Sequence, residues 1–396
     1  MRKLIGILSV VLVLLVGVGV LLYTGVLEPK DAAPTAPETA LAASTAPSTE
    51  PETEPPTTTE PQPELSARDE AVIFDGVELE TYDCEGETVV RATDFLAASG
   101  ADDGGAASES GAPAIAVSED GSSVTVGQRT FRTVVDGEVY LPLDQVVSTL
   151  GYPTWVDDED GTTYITRSFE ITPDVNVPIL EYHAVGDDCW GYEELFARPD
   201  RLEELFGFLN DNGYDPIWFE DLAHLQDYDK PVMLTFDDGY DDNYEILFPL
   251  LKKYNCKATI FIITRSYEKD GDPSATHKMT KKQMKELSDS GLVSIQSHTR
   301  THRRLGELSA DEQEAELRRS RLQLLRCTGK LPFVLCYPEG SYNSDTLALA
   351  PDFYRFGLKM TGGLYRTSDN PLLVNRYYIS RNTTLSTFAS YVSHSD

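Results

Sequence analysis

Basic residues are scarce in this chain: 33 lysines and arginines stand against 65 acidic residues, giving a formal net charge of -32 over 396 residues. That balance repels phosphate backbones and anionic lipid headgroups, and no basic run is long enough to make a local exception, so nucleic acid is not expected as a partner. Cysteine is sparse too. The five present, Cys84, Cys189, Cys256, Cys327 and Cys336, include no Cys-x-x-Cys spacing, which removes a zinc ribbon and a dithiol redox centre. Their odd number argues against a full disulfide framework, although one bridge stays open. What the chain does have is core material, with 41% hydrophobic and 10% aromatic residues, and a length that suggests two or more domains.

Long apolar runs are absent except at the start, where Arg2 and Lys3 precede an unbroken run from Leu4 to Tyr23. Such a run is long enough to cross a bilayer as a helix, and the flanking positive charge places the N-terminus inside and the remainder outside. Residues 1–27 are therefore read as a signal anchor in the plasma membrane, with a cleaved signal peptide as the alternative. From 28 to 68 the composition collapses to Pro, Thr, Ala, Ser and Glu, a disordered spacer. Residues 69–168 return to short β-rich runs with Asp-Gly turns, in two similar halves that each end in a short helix closed by Gly.

After residue 169 strands and helices alternate. "PILEYH", "PVMLTF", "KATIFII", "LVSIQ" and "PFVLCY" read as buried strands. The helices between them are punctuated by capping boxes at Thr280/Gln283 and Ser309/Glu312, with Gly291 and Gly329 beyond. This pattern predicts an α/β barrel or a doubly wound sheet, in which chemistry gathers where strands end.

Several chemically able residues fall at that edge. His183 follows "ILEY", Asp237 and Asp238 follow "MLTF", and His298 follows "VSIQS", with His302 four residues on, a spacing that sets both imidazoles on one face of a helical turn. Two imidazoles and one carboxylate suit a catalytic divalent metal, most simply zinc (Zn2+), with positions left for water and substrate. The second aspartate is then free for proton transfer. Trp190, Trp218 and Tyr342 are candidates to line a sugar groove, although aromatics are more often core. His224 and His277 read as structural or exposed.

"TFDDG" followed by "SHTRTH" resembles the polysaccharide deacetylases of the NodB-homology type over roughly residues 175–395. The resemblance implies a deformed (β/α) barrel and metal-dependent removal of acetyl groups from sugars. It makes Asp237 the general base and Asp238, His298 and His302 the metal ligands. Where many members carry Arg-x-Pro-Tyr-Gly, this chain has "CYPEGSYN", with Cys336 in the arginine's place and Glu339 in the tyrosine's, a form nearer the poly-N-acetylglucosamine deacetylases. In that loop Glu339, through its backbone N–H, together with Tyr337 and Tyr342, is expected to serve substrate binding and the oxyanion. An Asp-x-x-Asp-Trp segment is not visible. His183, on the first strand, resembles the acid of a permuted branch, with His394 as its rival, and Arg381 in "NRYYISRNTT" matches the arginine that holds the base ionised. The second half of 69–168 resembles the stalk-like domain of copper amine oxidase N-termini, without copper chemistry, since it holds no histidine.

The expected protein is thus an α/β enzyme with a deformed barrel (169–396), a smaller α+β stalk (69–168) and a membrane helix (4–23). It acts outside a bacterial cell as a single-pass, metal-dependent deacetylase of N-acetylglucosamine-containing polysaccharide. The alternatives are an esterase removing O-acetyl groups and a non-catalytic protein that binds cell-wall glycan.

Overall fold

The computed structural model describes residues 63–99, 115–118, 121–171, 173–269 and 277–393. The expected membrane helix, most of the spacer, and His394 lie outside the described residues. Among the described residues no helix is long and apolar enough to cross a membrane.

Seven strands form the main path of an eight-stranded sheet in the larger domain: β1 (Ile179–Tyr182), β2 (Pro231–Phe236), β3 (Ala258–Ile262), β4 (Val293–Ser297), β5 (Val334–Cys336), β6 (Phe356–Leu358) and β7 (Tyr377–Tyr378), with Asp215–Pro216 pairing beside β2. They lie parallel in the order β6-β5-β4-β3-β2-β1-β7. The sheet curls round until Val374, just ahead of β7, bridges Leu358 at the end of β6, with the Val374 N–H donating to Gly357 O at 2.9 Å. The closure is irregular because β7 is only two residues long.

Strand alternation sorts the side chains. Ile179, Met233, Phe261 and Cys336 join one apolar cluster inside the curl, while Leu180, Leu234, Phe236 and Ile260 join another under the helices. Parity then sends Glu181, Thr235 and, beyond the strand ends, His183 and Asp237 inward. Of the helices, α1 (Pro199–Asp211) and α2 (Phe248–Tyr254) come first, then α3 (Lys281–Asp289) and α4 (Ala310–Thr328). Both expected capping boxes form, at Thr280/Gln283 on α3 and at Ser309/Glu312 on α4, and Gly329 closes α4 in the left-handed conformation.

The smaller domain has the two-fold pattern read in its sequence. A hairpin (Thr81–Cys84, Glu87–Arg91) runs into the helix Ala92–Ser99, and a second hairpin (Thr133–Val135, Glu138–Pro142) into Leu143–Leu150. The inner strands of the two hairpins pair antiparallel, Val90 opposite Leu141. Glu85-Gly86 and Asp136-Gly137 both have positive φ at both residues, as a tight two-residue hairpin demands. Folded structure begins inside the expected spacer. Leu65–Ala67 form a strand paired with Thr81–Cys84, because Leu65 packs beside Tyr82 and Cys84. All five cysteines are free, so no bridge forms.

The two domains share an interface on α4. Arg318 of α4 reaches Asp157 at 2.6 Å and Glu159 at 2.7 Å, with the Asp157 side chain only 3% exposed. The Arg321 guanidinium donates to the Thr166 hydroxyl and to Asp352 O. Tyr164 packs on Leu322 and Leu331, and Trp155 on Phe353.

Candidate active site

β2 delivers two carboxylates and then bends sharply. Asp238 and Gly239 have φ of 73° and 67°, a left-handed pair that aspartate and glycine tolerate better than other residues, so the chain turns away while the two carboxylates stay at the strand end. A side chain at 239 would also strike Ile262, its Cβ falling 2.7 Å from Cδ1.

The two histidines come from the segment after β4. It is not the helical turn that their spacing suggested: residues 298–302 form an irregular loop with positive φ at Thr299 (62°) and His302 (60°). The reason is Glu316 on α4, which is buried and accepts from the backbone N–H groups of Arg300 (2.9 Å) and Thr301 (2.7 Å), so the amides turn to the glutamate rather than into a helix. The imidazoles still meet, edge to face, with centroids 4.7 Å apart.

Asp238 Oδ1 lies 3.6 Å from His298 Nε2 and 3.5 Å from His302 Nε2, and it is buried without a hydrogen-bond partner. The other oxygen, Oδ2, is engaged by the Tyr240 hydroxyl at 2.8 Å. His298 Nδ1 donates to Cys336 O at 2.8 Å, which fixes the tautomer and leaves Nε2 with its lone pair facing Asp238. Burial pushes the His298 pKa down to about 4, so the ring is neutral, as a ligand must be. One orphaned carboxylate oxygen and two imidazole nitrogens converging at ligand spacing fit a divalent cation.

Asp237 has a different environment. Burial alone would raise its carboxyl, but the charge of Arg376 and two hydrogen bonds from it, Nη1 to Oδ1 and Nη2 to Oδ2, each 2.8 Å, hold it well below the usual range. The arginine expected in this role, Arg381, does not hold Asp237. Arg381 lies past the end of β7, where it donates to Gly186 O at 2.9 Å and pairs with Glu193. Arg376 precedes β7 and shares the inward parity of Tyr378, so it enters the barrel, where it also bonds Thr235 Oγ1 (3.1 Å) and approaches Glu181 (3.3 Å). Cys336 fits beside it, its sulfur 3.1 Å from Arg376 Nη2 and 3.4 Å from Asp237 Oδ2. Burial pushes the Cys336 thiol up, so it is a neutral donor to Asp237.

His183 arrives at the same centre from β1. A ring nitrogen lies within 4.8 Å of carboxylate oxygens of both Asp237 and Glu181, Nδ1 is buried without a hydrogen-bond partner, and the ring stands nearly perpendicular to that of Tyr378, centroids 6.0 Å apart. Glu181 was missed in the sequence. It is fully buried, and burial raises its carboxyl even against the nearby Arg376.

The loop after β5 divides its three candidates. Glu339 has a left-handed backbone (φ 52°) and turns its half-exposed side chain out to Arg304. Tyr342 is half-buried at the edge of an apolar cluster, its ring 5.3 Å from Tyr337. Tyr337 is not a substrate residue: it is fully buried and donates its hydroxyl to Leu372 O, in space that exists because residue 357 is glycine. Trp218 belongs to the scaffold, its indole N–H donating to Ala258 O.

Residues 225–354 match the family profile described as Polysaccharide deacetylase, a span that includes Asp237, Asp238, His298, His302 and Glu339. YxkH of Bacillus subtilis, which carries a polysaccharide deacetylase name, is 32% identical over 222 residues, 54% of this chain and 76% of that protein. The chain belongs to the polysaccharide deacetylase family. The deacetylase PplD of Streptococcus pyogenes, solved with acetate, is 30% identical with a TM-score of 0.51, aligned over 56% of this chain and 100% of that one. A poly-beta-1,6-N-acetyl-D-glucosamine N-deacetylase of Staphylococcus aureus is 31% identical over 160 residues, 38% of this polysaccharide deacetylase and 53% of the relative. This chain therefore spans about half the length of that last protein.

Proposed function

We propose that this polysaccharide deacetylase removes N-acetyl groups from N-acetylglucosamine-containing polysaccharide, using Asp238, His298 and His302 to hold a divalent metal, most simply zinc. The observation that carries the reading is the division between neighbours: Asp238 keeps an orphaned oxygen toward two imidazoles, while Asp237 is held ionised by Arg376. The name of the Staphylococcus aureus relative supports the substrate. When bound, the cation supplies Lewis acidity to the acetyl carbonyl and to the attacking water.

The chain's own groups do the rest. Asp237 takes a proton from the attacking water as its oxygen adds to the acetyl carbon. The backbone N–H of Glu339 serves the developing oxyanion. His183, which faces Asp237 across the centre, gives a proton to the sugar nitrogen as the C–N bond breaks, so that acetate and a free amine leave. Arg376 and Cys336 position Asp237 and do not touch substrate.

The apolar run at 4–23 and the Pro/Thr/Glu-rich spacer support a membrane-anchored enzyme working outside the cell on the cell wall or an exported polymer, and the 69–168 region supports a copper amine oxidase-like stalk beside the barrel. The test is amine release from N-acetylglucosamine oligomers and peptidoglycan fragments, before and after chelation and zinc return. Amine lost with chelator and restored by zinc is the expected result. Free hydroxyl without free amine would move the enzyme to O-acetyl esters, and no product with no bound metal would leave a glycan-binding protein.

A further inference from the structure

Exposed large apolar side chains are few among the described residues, and two of them are aromatic: Trp190 at 42% and Tyr192 at 76%. Both lie in the loop that follows His183. A lone exposed apolar side chain is ordinary on a protein surface, and what distinguishes Trp190 is its setting.

The indole is also held rigidly. His277 lies flat against it, centroids 4.2 Å apart and planes 4° from parallel, while Phe196 and Tyr240 meet it edge-on at 4.9 and 4.8 Å. Tyr240 is the ring whose hydroxyl bonds Asp238, and Lys278 sits 3.5 Å over it while donating to Asp238 O at 2.9 Å. Trp190 is thus tied through a single intervening ring to the carboxylate at the centre of the site. Three packed rings fix its plane, which removes most of the entropy cost of ordering a binding surface.

We infer that Trp190, backed by His277, is a stacking platform for a neighbouring pyranose ring of the polymer, one subsite away from the sugar that loses its acetyl group. The inference rests on the proposed deacetylase reading. A pyranose presents an apolar face of C–H groups that an indole covers well, and a neutral sugar is not repelled by an acidic protein. The platform makes the enzyme a reader of chain length: one ring suffices for chemistry, and a second adds binding.

The experiment measures kcat/KM for N-acetylglucosamine and its oligomers of two to five units, using the full chain with zinc, in the native protein, Trp190→Ala and Trp190→Phe. Native protein should gain about ten-fold on passing from monomer to the longer oligomers, the size of one good stacking contact. Trp190→Ala should lose that gain through KM, and Trp190→Phe should recover part of it. Oligomer should also perturb the tryptophan emission of native protein more than that of Trp190→Phe. Equal losses of Trp190→Ala on every length, or an unchanged length dependence, would overturn the platform while leaving the deacetylase reading intact. Native protein that releases no amine from any length would overturn both.

Discussion

Arg376 grips Asp237 through both terminal nitrogens at 2.8 Å, and neither residue is exposed to solvent. A forked guanidinium and a carboxylate form the strongest ordinary ion-pair geometry, and here it fixes the protonation and the orientation of the proposed base together. Arg376→Lys keeps the charge and loses the fork, so kcat/KM should fall by about a hundred-fold or more. Arg381→Ala, which removes a contact to Gly186 and Glu193 at the rim, should cost less than about five-fold. Steady-state rates on one N-acetylglucosamine oligomer compare the two, and equal losses would contradict the pairing.

Glu316 clamps the amides of Arg300 and Thr301, between the proposed ligands His298 and His302. In Glu316→Gln one oxygen still accepts but the charge is gone, and the loop loses part of its grip on His302. Metal affinity should drop by about ten- to a hundred-fold, as is usual when a support behind a ligand is removed. A competition titration with a chromogenic zinc chelator measures this directly, and unchanged affinity would mean that the loop needs no clamp.

The interface on α4 makes the smaller domain part of the barrel's stability. Arg318→Ala strands Asp157 in a nearly closed site and should destabilise the protein by about 3 kcal/mol. A chain begun at residue 169 should express poorly or aggregate, because Leu322, Leu331 and Phe353 lose their cover. One begun at residue 63 should melt in a single step. Two separate transitions in the longer chain would show that the domains do not support each other.

Asp242 carries a pH signature. Burial pushes its carboxyl up to about 7 against an ordinary 3.8, despite hydrogen bonds from Val185 N–H and Asn243. Between those values the folded state holds a proton that the unfolded chain has lost, so stability falls as pH rises through the window, and the full penalty is present above it. Asp242→Asn cannot ionise. Its melting temperature should match the native protein near pH 4 and exceed it by several degrees at pH 8. A gap of the same size at both pH values would remove ionisation as the cause.

Much of this was legible in the sequence because local signals agreed. The five buried strand runs, the capping boxes at Thr280 and Ser309, and the Asp-Gly turns each follow from residues within a few positions of one another. The aspartates and histidines stood out because each follows an apolar run at a strand end. What failed depended on distant partners. The spacing of His298 and His302 reads as helical until Glu316 is seen to claim the intervening amides. Arg376 and Arg381 are five residues apart, and only strand parity against β1 separates the one that points inward from the one at the rim. Counting in alternate residues back from Tyr378 would have found Arg376, and counting back from His183 would have found Glu181. Tyr337 misled because its motif neighbours are loop residues, whereas its own hydroxyl needs the space left by Gly357 on another strand.

The closure of the curl at Val374 gives the chain an order of assembly. Asp237 and Glu181 are laid down early, on β2 and β1, and their counter-charge comes only with Arg376, after β6 has been placed. A chain that stops short of Arg376 has two carboxylates with no cation between them and cannot close its barrel. The two carboxylates thus wait for a cation made last among the three, and the charge balance of the barrel interior is complete only when its final strand is in place.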